Sequence, residues 1–161
     1  MLIEDDTLAR SIGEALIARG ARVAVAETTA GGLVSARLLS VPGASAWFER
    51  GVVAYSGAAK QQATGADLDV LRTYGAVSDE AVAAMAEGLR TLAGVEYAVA
   101  ESGIAGPISG RRSPKPVGTV VIALATSRGT ILEHYVVPGS RVVVMWGIAQ
   151  RALELLAKHV A

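Results

Sequence analysis

Three stretches of the chain carry residue types whose spacing could do chemistry. In the first, Ser45, Tyr55 and Lys60 follow one another closely. A desolvated lysine gives up its proton readily, and the neutral amine can then act as base to a serine hydroxyl, with a tyrosine hydroxyl to relay the proton. The same residues also read as a turn serine after Pro42-Gly43, a half-buried tyrosine and a solvated helix charge. In the second stretch, Glu27-Thr28-Thr29-Ala30-Gly31-Gly32 offers backbone N–H groups at the start of a helix, where an anion is favoured. It is neither a Gly-Lys-Ser/Thr phosphate loop nor a G-x-G-x-x-G turn, and it reads equally as a tight βα turn capped by Thr28 or Thr29. The third stretch runs from Glu101-Ser102-Gly103-Ile104-Ala105-Gly106-Pro107 to Pro116. Loops longer than about 12–15 residues in compact domains are usually functional or mobile. Arg111, Arg112 and Lys115 make this one the most basic segment, either a ligand lid or a solvated surface loop.

These stretches need elements to hold them. A helix is predicted over Thr7–Arg19, with Leu8, Ile12, Ala15 and Leu16 on one face, Asp6 or Thr7 as cap and Gly20 as stop. The β-branched run Arg22–Ala26 reads as a buried strand, Leu33–Ser40 as a helix and Gly51–Tyr55 as a second strand. Ser56 caps a short helix to Thr64, Asp67–Tyr74 forms another, and Ser78 caps a stronger one over Asp79–Leu92. Tyr97–Glu101 is a third strand, and Val117–Thr126 and Thr130–Val137 flank the turn Ser127-Arg128-Gly129. A last helix, capped by Ser140, covers Val142–Val160. Strands interleaved with helices and ending in a hairpin predict a three-layer α/β/α sandwich around a mixed sheet, one domain over residues 1–161. In such sheets ligands bind beyond the carboxyl ends of strands, which is where all three stretches begin.

Composition narrows the classes. Lys+Arg and Asp+Glu both number 15, so no net charge draws the chain to nucleic acid or to an anionic membrane. With 52% hydrophobic residues the chain can bury a large core. Having 0 Cys, it has no thiolate nucleophile, disulfide or cysteine-held zinc, and its 2 His cannot build a histidine-rich metal cluster, so no metal or cofactor is expected. The acidic start Met1–Asp6 does not read as a signal peptide and no apolar run is long enough to span a bilayer, so a cytoplasmic location is expected. The apolar fraction suggests a self-contact, with a dimer the commonest form.

Taken in order, five segments resemble the C-terminal domain of the competence/damage-inducible protein A (CinA) family. They are Ala26-Glu27-x-x-x-Gly31-Gly32, Val41–Phe48, Gly51-Val-Val-Ala-Tyr55-Ser56-x-x-x-Lys60, Gly75–Ser78, and Ser102–Pro107 with Lys115–Thr119. The enzymatic members are nicotinamide-nucleotide amidohydrolases, which hydrolyse the carboxamide of nicotinamide mononucleotide to the acid and ammonia and so recycle pyridine nucleotide. The larger N-terminal domain of some members has no counterpart here. By this resemblance Ser45 is the nucleophile, Lys60 its base and Tyr55 the proton relay, with glycine-rich N–H groups stabilising the oxyanion. Glu27, Thr28, Gly31, Gly32, Ser102, Gly103 and Gly106 are the implied substrate contacts, the phosphate lying on a helix N-terminus or the basic loop. The family's common Glu-Ser-Cys-Thr-Gly-Gly is Glu27-Thr28-Thr29-Ala30-Gly31-Gly32 here, and its Gly-Asp-Arg is Gly139-Ser140-Arg141. If the hydroxyl at position 28 is the nucleophile instead of Ser45, the extra methyl of Thr28 crowds the turn. The alternative expectation is therefore a catalytically impaired nucleotide-binding or scaffold member.

Overall fold

A computed structural model describes residues 6–108, 110 and 113–161; Arg111 and Arg112, two cations of the predicted basic loop, lie outside them. Six helices and five strands follow in the order α1 (Thr7–Arg19), β1 (Val23–Glu27), α2 (Leu33–Leu39), β2 (Phe48–Val53), α3 (Gly57–Thr64), α4 (Leu68–Tyr74), α5 (Asp79–Ala93), β3 (Tyr97–Gly103), β4 (Thr119–Thr126), β5 (Gly129–Val136) and α6 (Arg141–Val160). Caps set several of these limits. Asp6, Ser56, Ser78 and Ser140 each accept an N–H from the first turn of α1, α3, α5 and α6, and Gly20, Gly65 and Gly94 end helices in the left-handed region.

The sheet runs β2-β1-β3-β4-β5, with β1 parallel to both β2 and β3, and β4 the one strand running against its neighbours β3 and β5. After β1 the chain crosses through α2 to one side, and after β2 it returns through α3, α4 and α5 to the other. The strand order therefore reverses at β1, and a crevice opens beyond its carboxyl end. Val23, Val25, Val99, Ile122 and Leu124 face α1, α2 and α6. The alternate positions Ala24, Ala26, Ala98, Ala100 and Ala123 face α5. Small side chains on that face let α5 lie close over β3 and β4. The predicted three-layer α/β/α architecture is the one observed.

Three boundaries differ in ways that matter for function. β2 begins at Phe48 rather than Gly51, because an edge strand tolerates the half-exposed Phe48-Glu49-Arg50 and Glu49 pairs with Arg22. β3 continues to Gly103, so Ser102 and Gly103 pair with Val121 and Val120 instead of opening the loop. A 3-10 turn over Ala44–Ala46, absent from the prediction, leads into β2 and presents Ser45 to solvent.

The approach of α3 to α5 depends on Gly88, where a Cβ would overlap the carbonyl of Thr64. Gly88→Ala gains helix propensity of about 1 kcal/mol. The obstacle is backbone that cannot rotate aside, so the variant is expected to lose about 1–3 kcal/mol net. Urea denaturation measures it, and an unchanged or raised midpoint would show that α3 is not held this way.

Candidate active site

The carboxyl ends of β1, β2 and β3 gather the chemistry. β1 ends on Glu27, whose side chain is fully buried and turns under the start of α2. Its Oε2 accepts the N–H groups of Gly32 (2.9 Å) and Val34 (3.0 Å), and its Oε1 accepts the N–H (2.9 Å) and hydroxyl (2.6 Å) of Ser35. Gly32 caps α2 at φ 100°, a conformation in which glycine is unstrained. A carboxylate at a helix N-terminus satisfies the unpaired donors and the dipole together. The donors expected to meet a phosphate are therefore spent inside the protein. The Glu27 carboxylate thus serves as an internal cap of α2, and the Gly32 N–H is given to it.

A second carboxylate lies beneath the same turn. Glu101 of β3 is fully buried, and its Oε1 accepts the N–H of Thr28 (2.6 Å) and of Ala30 (2.8 Å), while its Oε2 has no partner. Burial pushes its carboxyl up to about 7, opposed by the Ala30 and Thr28 N–H groups and aided by the charge of Glu27. Thr29 closes the turn onto β3: its hydroxyl donates to the carbonyl of Gly103 (3.0 Å) and accepts that residue's N–H (2.9 Å). Thr28 points its hydroxyl toward the end of β2, donating to the carbonyl of Ala54 at 3.1 Å.

Lys60 projects from α3 and is 3% exposed, which replaces the solvated-charge reading with a desolvated amine. Burial lowers its pKa, and the charge of Glu101 opposes that fall. With Tyr55, Leu68, Leu71 and Arg72 it lines a cavity of about 430 Å³. Tyr55 is 67% exposed and not half-buried, and it also lines a second cavity, of about 520 Å³, with Gly103, Gly106, Lys115 and Arg141. Arg141 spans that cavity, donating to the carbonyl of Gly106 (2.8 Å) and to the Tyr55 hydroxyl (3.4 Å). Lys115 donates to the carbonyl of Val77. Ser102, 1% exposed, has a hydroxyl with no partner; strand alternation places it on the α5 face with Ala98 and Ala100.

Ser45 is not part of this group. It sits on the exposed 3-10 turn before β2, at the end where Val23 pairs with Phe48, whereas Tyr55 and Lys60 follow the other end, where Glu27 pairs with Val53. The six-residue β2 separates them by roughly 17 Å, too far for a proton to pass from the Ser45 hydroxyl to Lys60. The spacing of Ser45 to Tyr55 was short in sequence because the whole strand lay between them. Gly31, at φ 67°, shapes the turn. Glu101 and Arg141 were not singled out from sequence; the signal for Glu101 was a lone charge ending an otherwise apolar strand. Among the described residues no group of three or more His, Cys, Asp or Glu could hold a metal ion, and no helix is long and apolar enough to cross a membrane.

The raised carboxyl of Glu101 has a consequence for stability. The native state keeps the Glu101 proton at pH values where the unfolded chain has released it, so this group weakens the fold as pH rises from about 4.5 to about 7 and adds no slope above. Relative to the wild type, Glu101→Gln is expected to gain thermal stability from pH 5 to pH 7 and to hold a constant difference beyond. Parallel melting curves check it, and a difference independent of pH would show a carboxyl that titrates normally.

The comparisons with known proteins agree with this fold. The CinA C-terminal domain model matches residues 5–160. The nicotinamide-nucleotide amidohydrolase PncC of Escherichia coli K12 is 49% identical over 122 residues, covering 76% of this chain and 73% of that protein. A CinA-like protein of Syntrophobacter fumaroxidans is 44% identical over 94% of this chain but only 36% of its own length. The chain likewise spans 37% of the competence-damage inducible relatives from Desulforudis audaxviator and Desulforamulus reducens. The crystal structure of a competence/damage inducible protein, CihA, from Agrobacterium tumefaciens superposes with a TM-score of 0.90 at 33% identity, covering 98% of both chains. A Klebsiella pneumoniae CinA superfamily protein does so with 0.90 at 32% identity over 96% of both. On the family model and these relatives together, the chain belongs to the CinA C-terminal domain family.

Proposed function

We propose that the protein hydrolyses the carboxamide of nicotinamide mononucleotide to nicotinate mononucleotide and ammonia. The observation that carries this reading is the buried amine of Lys60 beside the cavity at the strand ends, close to the turn that carries Thr28. The name of the E. coli relative supports it. The nucleophile in this reading is the Thr28 hydroxyl, since Ser45 lies at the far end of the sheet.

Lys60, whose burial favours loss of its own proton, takes the Thr28 proton as Oγ1 bonds to the carboxamide carbon. The exposed Tyr55 hydroxyl orients or relays that proton. As the C–N bond breaks, the proton passes to the departing nitrogen, which leaves as ammonia. Water then attacks the ester and gives a proton to Lys60, which passes it to Thr28 Oγ1 as the ester C–O bond breaks, releasing the acid and restoring both side chains. In this reading the Ser102 hydroxyl, which has no partner within the protein, donates to the carboxamide oxygen or its oxyanion. Arg141 and Lys115 supply the positive charge in the adjoining cavity for the 5′-phosphate. No metal or cofactor takes part in these steps.

A second reading follows from one observation. The Thr28 hydroxyl already donates to the carbonyl of Ala54, and its methyl restricts its rotamers. A protein that binds the nucleotide without turning it over fits that commitment.

Ammonia release from nicotinamide mononucleotide separates the two. Thr28→Ala and Lys60→Ala are each expected to lower kcat by about 10³-fold or more, Thr28→Ser to raise it, and Ser45→Ala to leave it unchanged. Loss of turnover in Ser45→Ala with activity kept in Thr28→Ala would reverse the assignment. Thermal stabilisation by the nucleotide with no ammonia released would establish the binding protein.

A further inference from the structure

Glu101 is the buried titratable group that the steps above leave unused. It bonds the backbone of one partner of the proposed proton transfer and bears on the other through its charge. Its Oε1 grips the backbone N–H of Thr28, the residue that carries the nucleophilic hydroxyl, and of Ala30 two residues on. Its charge is the acidic one bearing on Lys60. A buried carboxylate with one unmatched oxygen is costly, and nothing in the packing of β3 demands it: the preceding positions Ala98, Val99 and Ala100 are apolar and fully buried.

The other charged groups around Lys60 are otherwise engaged or cationic. α3 carries no second charge. From α4, Arg72 lines the same cavity. Before α5, Lys115 donates to Val77, and from α6, Arg141 holds Gly106 and Tyr55. Glu27 is taken up by the start of α2.

We propose that Glu101 is a positioning residue for this chemistry: one carboxylate oxygen holds Thr28 in its turn, and the carboxylate charge stabilises the ammonium form of Lys60. The proposal rests on the amidohydrolase reading, with Thr28 and Lys60 in the roles given above. The two functions of the carboxylate separate by substitution. Glu101→Gln keeps an acceptor oxygen for Thr28 and Ala30 and removes the charge. Glu101→Leu removes both.

The experiment follows Lys60 directly in protein labelled with carbon-13 lysine; Lys60, Lys115 and Lys158 are the chain's lysines, and a Lys60→Arg sample assigns the signal. In Glu101→Gln the Lys60 titration midpoint is expected to fall by about one pH unit, and the acid limb of the kcat/KM profile to move down with it. In Glu101→Leu, kcat is expected to fall about 10²-fold with KM nearly unchanged, and the amide signals of Thr28 and Ala30 to shift. An unmoved Lys60 midpoint in Glu101→Gln overturns the proposal, as does wild-type kcat in Glu101→Leu. If Glu101→Leu does not fold, the Glu101→Gln midpoint decides. If the wild type releases no ammonia, the amidohydrolase reading falls by itself, and the Lys60 midpoint with the two amide signals still decides what Glu101 does.

Discussion

Two carboxylates shut away from water beneath one βα turn set the form of everything around them. Taking a carboxylate out of water costs several kcal/mol even after relaxation, and the chain offsets that cost with its own backbone donors. Glu27 takes those at the start of α2, and Glu101 takes those of Thr28 and Ala30. The turn is thereby stiffened from below, and Thr29 ties it sideways to Gly103. A helix N-terminus that looks from sequence like an anion site is satisfied from within. The cations that could meet an external anion sit elsewhere, on Arg141 and Lys115 at the neighbouring cavity.

The sheet topology explains why the turn lies where it does. The order β2-β1-β3 sends α2 and α3 away from β1 on opposite faces, so the turn after β1 and the start of α3 converge at the reversal point. The alanine-lined face draws α5 close to the sheet, and the contact of Gly88 with Thr64 carries α3 in with it. The burial of Lys60 is a product of that packing. A small-residue face thus does two jobs: it builds the core on the α5 side and shuts Lys60 away from water.

The elements themselves were legible in sequence because local chemistry marks them. Ser56, Ser78 and Ser140 are caps that read the same in sequence and structure, Asp6 is one of the two caps the sequence offered for α1, and β1 and β3 are apolar runs up to their carboxyl ends. Tyr55 and Lys60 were legible as a pair, since both follow the end of β2, Tyr55 in the connection and Lys60 in the first turn of α3. Ser45, near them in sequence, stands at the opposite end of β2 because a whole strand intervenes. The strand was placed three residues late, which hid the distance. Glu101 was illegible as a functional group because Thr28 and Ala30 come from the turn after β1, distant in sequence, and only the parallel pairing of β1 with β3 sets that turn over it. Arg141 likewise reaches Gly106 and Tyr55 across the fold, with no local pattern to announce it.

The central claim is that the reaction occurs at the strand-end site and passes through Thr28. Trypsin cleavage after Arg22, Arg37 and Arg50 puts Thr28 and Ser45 on different peptides. The most direct measurement is therefore acid quenching during turnover of nicotinamide mononucleotide, followed by peptide mass analysis. The account requires an ester-linked nicotinate mononucleotide on the peptide spanning residues 23–37 and localised to Thr28. The same adduct on the peptide spanning residues 38–50 would contradict it.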